Sequence, residues 1–391
     1  MSRWQYRYTV LVLCTFAFFA TMVARLVISP VVPEIESYFD TSTGAIGLAL
    51  SGMWAAYALS QFPSGVLADR YGERRVILTA VSITAVSSLL LALSPSLALF
   101  GLFAVVLGAG AGLHYVVATT LLTRLFSNTG RAIGLHVTGS PIAGLSAPVL
   151  AAAIGARYGW RSALLLGTAA AVPVGVTFAR RVRPITPQHP ERPMREQFDP
   201  GTLAALLSRP RIAYTTVLAT IAAFTWQATA SFLPTLLVAH HGYSTAFAGV
   251  LFSLYFVVHG VCAPTIGGLS DRFGRDPTLA ATLATGIVGY WVLATGGSTS
   301  VIVGGVVLAG VAMSWSAPLQ DRYIARLSEK ERNTGFGLVR TVYMLLGALG
   351  SVVVGTLADV AGWGIAYGGL AVLLALAVGS LGAVRLSDVS L

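Results

Sequence analysis

Five basic or titratable side chains lie deep within long apolar stretches of this sequence. They are Arg25, His114, His136, His259 and Arg340. A planar guanidinium binds a carboxylate or phosphate through two parallel hydrogen bonds. Histidine is the side chain that gains or loses a proton near neutral pH. All 15 acidic residues fall in predicted loops or at predicted helix ends, so a site built from these five groups would be positive and attract anions.

The composition explains why these groups stand out. Of the 391 residues, 55% are hydrophobic and only 10% are charged, whereas about a quarter of a soluble domain is charged. The apolar runs are long enough for membrane spans of roughly 20 residues each. The net charge of +10 is scattered over short loops, which indicates contact with anionic lipid rather than nucleic-acid binding. Cys14 and Cys262 lie inside apolar runs, so we expect neither a disulfide framework nor a metal site.

Twelve apolar segments fall into two groups of six. We therefore predict an all-α membrane protein with bundles at 1–180 and 212–391, joined by a Pro- and Arg-rich cytoplasmic linker at 181–211. Within the linker, "PGTLAALLSR" is predicted to form a short interfacial helix. No cleavable signal peptide is evident. The predicted spans are 8–29, 43–67, 76–94, 97–122, 131–156, 161–180, 212–238, 245–268, 278–296, 299–320, 334–358 and 363–385.

The basic residues predict the orientation of these spans. When the N-terminus is placed inside, Arg157 and Arg161 are the only loop arginines left outside. Because basic residues are enriched in cytoplasmic loops, we expect both termini in the cytoplasm of a multi-pass plasma-membrane protein.

A short charged loop occurs twice, as "GVLADRYGERR" at 65–75 and "GGLSDRFGRDP" at 267–277. The same spacing of 202 residues pairs Asp69 with Asp271 and Arg124 with Arg326, and "YGW" and "AGW" recur at nearly that spacing. A run of ordered matches indicates an internal duplication. With six spans in each copy, an axis along the membrane normal should relate the two copies.

The first loop resembles the signature G-x-L-a-D-R-x-G-R-R between helices 2 and 3 of the major facilitator superfamily. The second loop is similar to the weaker copy of that signature between helices 8 and 9. The resemblance covers essentially the whole chain. It implies twelve transmembrane helices in two pseudosymmetric bundles, a central cavity and alternating access. We expect a monomer that needs no cofactor.

The resemblance also implies that the charged loop is a cytoplasmic latch. The Asp69 carboxylate would accept hydrogen bonds from the amides of a helix beginning near Asn333 or Thr334, an interaction worth ~0.3–1 kcal/mol. Glycines would allow a tight turn and close helix approach, and arginines would bind carboxylates or lipid phosphates. The simpler alternative is that the charges only mark a cytoplasmic turn. The predicted gating residues are Gly65, Asp69, Arg70, Gly72, Arg74, Arg75, Asp271, Arg272, Gly274 and Arg275.

Two departures from the family pattern bear on coupling. Ala104 stands where many proton-coupled members carry an arginine, and "GSPIAG" at 139–144 matches the antiporter bend G-P-x-x-G-G only in part. The second signature loop carries Asp276 and Pro277 in place of a basic residue, so its latch should be the weaker one.

Repeat mates suggest which polar groups share a site. Arg25 pairs with Gln227, and His259 pairs with Tyr57. The predicted substrate-binding residues are Arg25, Tyr57, His114, His136, Gln227, His259, Trp315 and Arg340, with Trp54, Tyr115, Trp226, Tyr255 and Tyr343 as apolar walls. Each has an alternative. Arg25 could snorkel to the surface, Arg340 could bind Asp321, each histidine could be a satisfied interhelical hydrogen bond, and each aromatic could face lipid.

These residues predict a secondary active transporter of a small organic anion, such as a carboxylate or sugar acid. The arginines would bind the anion, while Gln227, Tyr57 and the histidines would orient it. The histidines would carry any coupled proton. A proton-coupled multidrug antiporter is the first alternative, although export of lipophilic cations usually needs a buried acid. A non-transporting sensor or scaffold is the second. An enzyme is disfavoured because the sequence shows no cluster of a nucleophile, a base and an orienting group. Direct use of ATP is disfavoured because the sequence has no G-x-x-x-x-G-K-S loop.

Overall fold

The computed structural model describes residues 6–184, 186–187, 200–327 and 332–386, without the side chains of residues 202, 324, 332–334 and 386. Every regular element in these ranges is helical, which confirms the predicted all-α class. The helices are α1 (Tyr6–Leu26), α2 (Val32–Phe39), α3 (Thr43–Tyr71), α4 (Glu73–Ala92), α5 (Leu97–Gly112), α6 (His114–Leu125), α7 (Thr129–Val137), α8 (Gly139–Tyr158), α9 (Trp160–Arg181), α10 (Pro200–Leu207), α11 (Pro210–Ala239), α12 (Thr245–Phe273), α13 (Arg275–Thr295), α14 (Thr299–Ala312), α15 (Ser316–Ile324), α16 (Arg332–Gly347), α17 (Leu349–Ala361) and α18 (Trp363–Leu386).

Eleven helical stretches of the described chain are long and apolar enough to cross a membrane. The remaining predicted span, 43–67, lies in α3, which is a continuous helix of 29 residues. Its length suffices for a crossing, but glycines, serines and Gln61 lower its hydropathy. Each predicted span therefore corresponds to a long helix or to a helix with a break. The predicted linker helix is also present as α10.

The helix breaks follow the internal repeat in the fourth span of each half. α5 gives way to α6 at Leu113, and α14 gives way to α15 through a short 3₁₀ turn, Met313–Trp315. Leu113 and Trp315 are separated by the repeat spacing of 202 residues. The break in the first half places His114 at the start of α6, and the turn in the second half carries Trp315.

The backbone repeats at its turns as well. Three pairs of equivalent residues adopt positive φ angles, a region that glycine enters without steric cost. Asp40 is the non-glycine member of the set, and aspartate tolerates this region better than most residues do. The pairs are Asp40 (φ 47°) with Gly242 (71°), Gly72 (84°) with Gly274 (89°), and Gly159 (81°) with Gly362 (85°).

The chain forms two compact units. The first comprises Met1–Phe39 and Gly52–Asp199, and the second comprises Asp40–Ser51 and Pro200–Leu391. We keep the predicted division into bundles at 1–180 and 212–391 as a proposal. The segment Asp40–Ser51, which contains the first residues of α3, belongs to the second unit.

Hydrogen bonds hold this segment in the second unit. The Asp359 carboxylate accepts hydrogen bonds from the backbone amides of Thr43 at 3.0 Å and Gly44 at 2.7 Å. The Ser51 hydroxyl donates to the Ala348 carbonyl at 2.6 Å. A carboxylate at a helix N-terminus also interacts favourably with the helix dipole. The start of α3 is therefore capped by α17.

One central helix in each unit carries a predicted polar residue. In the first unit α1 packs against α4, α6, α7, α8 and α9, and in the second unit α11 packs against α12, α16, α17 and α18. Arg25 lies in the last turn of α1, and Gln227 lies within α11. Both positions are surrounded by neighbouring helices rather than facing outward.

Candidate functional site

Arg25 is buried in the first unit, with 3% of its surface exposed. Its guanidinium carbon lies 4.3 Å from the ring centroid of Tyr57 and 5.3 Å from that of Trp54, both on α3. The Nε atom donates to the Thr21 carbonyl at 3.1 Å, and Nη2 lies 2.8 Å from the Met22 sulfur. Arg25 therefore does not snorkel to the surface. It is held against two aromatic faces inside the unit.

One donor of this guanidinium is left open. The Nη1 atom is buried and has no hydrogen-bond partner among the described residues, and no described carboxylate forms an ion pair with Arg25. A cation against aromatic rings gains ~0.5–2 kcal/mol, which is much less than the cost of burying an isolated charge. The two aromatic contacts therefore do not by themselves compensate the buried charge.

Two histidines lie next to each other in the same unit. The rings of His114 on α6 and His136 on α7 have centroids 5.5 Å apart, and Phe18 of α1 packs on both rings. The His114 Nε2 atom lies 3.2 Å from the Cys14 carbonyl oxygen. Its Nδ1 atom and both ring nitrogens of His136 are buried without a partner among the described residues.

Gln61 is a polar residue of this region that the sequence analysis missed. It follows Tyr57 by one turn of α3 and is buried. Neither atom of its amide has a hydrogen-bond partner in the described part of the chain. Helical spacing from Tyr57 is the signal that could have found it, since residues i and i+4 share a helix face.

The predicted residues of the second unit are bonded differently. The Gln227 Nε2 atom donates to the Met344 carbonyl at 3.0 Å, and the His259 Nδ1 atom lies 3.4 Å from the Ser314 hydroxyl. Trp315 packs edge-on against Tyr343 with centroids 6.2 Å apart. Arg340 is half-buried on α16. Gln227 and His259 therefore link helices within the second unit.

Two charged residues of the first signature loop, Glu73 and Arg74, bind other helices of the first unit. Glu73 is buried and forms an ion pair with Arg124. Arg74 donates from Nε to the Val182 carbonyl and from Nη2 to the Ala179 carbonyl, both at 2.7 Å, and so caps the C-terminus of α9. The structure thus gives Arg74 a capping contact, and it identifies Glu73, which the sequence analysis did not select.

The remaining residues of this loop make fewer contacts. Asp69 is half-buried, and Arg70 and Arg75 are exposed. A side chain added at Gly65 would find its nearest neighbour, Val116 Cγ1, at 3.9 Å. Gly65 therefore does not show the close approach that we expected. The side chains of the predicted partners Asn333 and Thr334 lie outside the described residues, so the latch stays a prediction.

The second signature loop is arranged differently around Gly274. The Arg275 Nη1 atom donates to the Asp321 carbonyl at 3.0 Å, and Asp276 forms an ion pair with the buried Arg322. Asp271 and Arg272 are exposed. Asp276, which stands where the family signature has a basic residue, thus binds α15 through Arg322.

Comparison with known proteins identifies the family to which this chain belongs. A sequence profile described as the Major Facilitator Superfamily matches residues 14–244 and 215–388. The chain belongs to the major facilitator superfamily. This assignment confirms the predicted family and fold, and it agrees with the apolar helices that are long enough to cross a membrane.

A relative that aligns along most of the chain is the probable sulfoacetate transporter SauU of Cupriavidus necator. It is 25% identical over 383 residues, which cover 90% of this chain and 87% of that protein. The bacterial homologue of the human lysosomal transporter Spinster has the same fold, with a TM-score of 0.80, 18% identity and 97% coverage of both chains.

Other curated relatives align only in part. The tetracycline resistance protein, class C, of Escherichia coli is 35% identical over 114 residues, which cover 28% of each protein. The membrane sensor protein UhpC of Escherichia coli is 30% identical over 154 residues, which cover 39% of this chain and 35% of that protein. The chain thus spans about a third or less of the length of these two relatives.

Proposed function

We propose that this superfamily transporter carries a small organic anion and that Arg25 binds it. The observation that carries the proposal is the buried guanidinium of Arg25, which is packed on Tyr57 and Trp54 and has Nη1 open. A carboxylate, sulfonate or phosphate oxygen at Nη1 would neutralise the buried charge. A hydrogen bond to a charged group contributes about 1.5–3 kcal/mol.

The histidine pair supplies the second half of the proposed site. His114 and His136 have three ring nitrogens without partners in the described chain. Each nitrogen can donate or accept a hydrogen bond according to its protonation state. They would orient a second polar group of the substrate, and they would carry the proton if transport is coupled to one. Anion exchange or uniport would leave them neutral throughout the cycle.

The alignment with SauU supports an anionic substrate because it runs along 90% of this chain. The partial alignment with the tetracycline resistance protein favours drug efflux as the second candidate. A site with a buried arginine and no described carboxylate suits neutral or anionic drugs better than lipophilic cations. The partial alignment with UhpC keeps a sensor role as the third candidate.

Several accompanying features remain proposals. We place the protein in the plasma membrane with both termini in the cytoplasm, as the distribution of arginines predicts. We also propose that Arg340, Gln227, His259 and Trp315 of the second unit contact substrate, and that Asp69 acts as a latch.

The test is a ligand screen on the purified protein by thermal stability. The panel contains sulfoacetate, dicarboxylates, sugar acids, hexose phosphates, tetracycline and a lipophilic cation. Because bound ligand stabilises the folded state, we expect one or more anions to raise the melting temperature of the wild type. Arg25→Gln should abolish that rise.

Arg161→Gln is the matched control for the screen. The Arg161 guanidinium carbon also lies over two rings, 4.1 Å from the Tyr38 centroid and 4.2 Å from the Trp160 centroid. Its loss removes the same kind of contact elsewhere in the first unit, so the anion response should persist. Stabilisation by the cation alone, or an anion response that survives in Arg25→Gln, would refute the proposed site.

A further inference from the structure

The second unit contains a cavity of about 630 Å³ beside its signature loop. Its walls come from the starts of α11 and α13 and from the ends of α15 and α18. The residues that matter for its chemistry are Tyr214, Asp276, Ala280, Arg322 and Arg385. Arg385 is exposed at the rim, whereas Arg322 is buried in the wall. The cavity thus opens at the surface and has a charged wall.

Arg322 is held in place and still has an unused donor. Its Nη1 atom is paired with Asp276, and its Nε atom donates to the Thr215 hydroxyl at 3.4 Å. Its guanidinium carbon lies 5.5 Å from the Tyr214 ring centroid. The Nη2 atom is buried without a hydrogen-bond partner among the described residues. A buried donor that is held in place in the wall of a cavity can bind a hydrogen-bond acceptor that enters the cavity.

The surroundings of Arg322 are strongly positive. Arg326 donates from Nη1 to the same Thr215 hydroxyl at 3.0 Å. Burial first, and then the neighbouring charges of Arg322, Arg211 and Arg275, lower the pKa of Arg326 to about 10, while Asp276 opposes this shift. The lining of the cavity thus includes Arg322 and Arg385 as cations and Asp276 as a carboxylate.

The internal repeat shows how the side chains beside the cavity differ from those at the equivalent place in the first unit. Asp276 is the repeat mate of Arg74, at the spacing of 202 residues. In the first unit the long Arg74 side chain reaches the last turn of α9 and binds its carbonyls. In the second unit the shorter Asp276 side chain turns to Arg322 instead. The space beside α18 is left open.

We propose that this cavity binds a phosphate group, with Arg322 Nη2 and Arg385 as donors. Arginine forks suit phosphate oxygens, and basic pockets between helix ends bind the head groups of anionic lipids. The same chemistry would hold inorganic phosphate. This site is separate from Arg25 and does not depend on the substrate proposed for it.

The experiment measures binding to the purified full-length protein. Native mass spectrometry compares phosphatidylglycerol with phosphatidylcholine, and thermal stability is followed against inorganic phosphate at constant ionic strength. The variants are Arg385→Gln, which removes a rim charge, and Ala280→Phe, which fills the cavity. Arg183→Gln is the control because Arg183 is the repeat mate of Arg385 and lies against Tyr6 in the first unit.

We expect phosphatidylglycerol to bind the wild type more tightly than phosphatidylcholine. Its affinity should fall at least fivefold in Arg385→Gln and Ala280→Phe, remain unchanged in Arg183→Gln, and recover in part in Arg385→Lys. A response to inorganic phosphate alone, with the same dependence on the variants, would identify free phosphate as the source. The proposal is overturned if neither probe binds, or if binding persists in either cavity variant. It is also overturned if Arg183→Gln weakens binding as much as Arg385→Gln.

Discussion

Arg25 and Gln227 occupy equivalent positions in the two halves of a duplicated fold, yet they do different things. Arg25 is a buried cation with an open donor against Tyr57 and Trp54. Gln227 is neutral, and its amide donates to the Met344 carbonyl. The comparison shows that duplication kept the backbone while the chemistry diverged. At this pair of positions the first unit carries a buried charge, and the second carries a hydrogen bond between helices.

The two signature loops diverge in a related way. In the first copy the carboxylate of Glu73 is 1% exposed and its partner Arg124 is 29% exposed. In the second copy Arg322 is 1% exposed and its partner Asp276 is 49% exposed. Arg322 also precedes Arg326, the repeat mate of Arg124, by one helical turn. Each loop thus forms an ion pair with a neighbouring helix. The acidic partner is buried in the first copy, and the basic partner is buried in the second.

The largest expected loss of stability tests which partner of each ion pair is buried. Removing the exposed partner leaves the buried charge without a counter-ion, which lowers the free energy of unfolding by about 3–5 kcal/mol. Removing the buried partner leaves a charge that water can reach. We therefore expect Arg124→Gln to destabilise the protein much more than Glu73→Gln. In the second unit Asp276→Asn should destabilise it more than Arg322→Gln. Unfolding followed by tryptophan fluorescence in detergent would measure the four differences.

The opposite ranking in either unit would contradict this account of the loops. Arg322→Gln also removes the contacts with Thr215 and Tyr214. The comparison of the four variants should therefore be made within each unit rather than between them.

A smaller effect is expected from Arg74. Its two hydrogen bonds to the last turn of α9 satisfy helix carbonyls and complement the helix dipole, so Arg74→Gln should cost ~1–2 kcal/mol. Arg75→Gln is the matched control because Arg75 is adjacent and exposed, and surface changes cost less than about 0.5 kcal/mol. Equal losses of stability in the two variants would remove the capping role.

Much of the fold was accessible from the sequence because membrane spans and internal repeats leave strong patterns. Long apolar runs predicted the helices, and the spacing of 202 residues predicted a repeated turn, which the structure shows as positive φ angles at Gly72 and Gly274. Tyr57 was selected as the repeat mate of His259, whereas the structure brings it against Arg25. That contact joins α1 to α3, and residue spacing alone could not show it.

The missed residues are those whose burial depends on packing between distant segments. Glu73 stands in a charged loop that reads as an exposed turn, but the end of α6 covers it and supplies Arg124. Arg322 lies at the end of an apolar span, where a solvated arginine is the ordinary expectation. Its burial follows from Tyr214 and Asp276, which come from other helices.

The smallest expected effect is a change in the pH dependence of stability at His241, in the turn between α11 and α12. His241 is the repeat mate of Phe39, and its Nε2 atom lies 2.9 Å from the Leu293 carbonyl oxygen. Burial lowers the pKa of His241 from its ordinary value of 6.5, although the hydrogen bond to Leu293 opposes the shift. The folded state therefore favours the neutral ring. Its contribution to stability is present above about pH 6.5 and is lost as the pH falls from that value through the lower pKa of the folded state.

His241→Gln should therefore flatten the acid side of the stability profile slightly. Melting temperatures between pH 7.5 and pH 5.5 would show a smaller decrease in the variant than in the wild type. Phe39→Leu, at the equivalent position of the first unit, should leave the pH dependence unchanged. Identical profiles for the wild type and His241→Gln would rule out this contribution.

Counterflow in proteoliposomes tests the central claim most directly, because it reports binding and exchange without a driving force. The anion identified by the thermal screen is loaded inside, and uptake of the labelled anion is followed for Arg25→Gln, Arg25→Lys and Gln227→Ala. We expect Arg25→Gln to weaken the apparent affinity more than tenfold, or more than ~1.4 kcal/mol. Lysine should rescue only part of this loss because it keeps the charge without the fork. Gln227→Ala should have a smaller effect. Normal exchange by Arg25→Gln in folded protein would contradict the account.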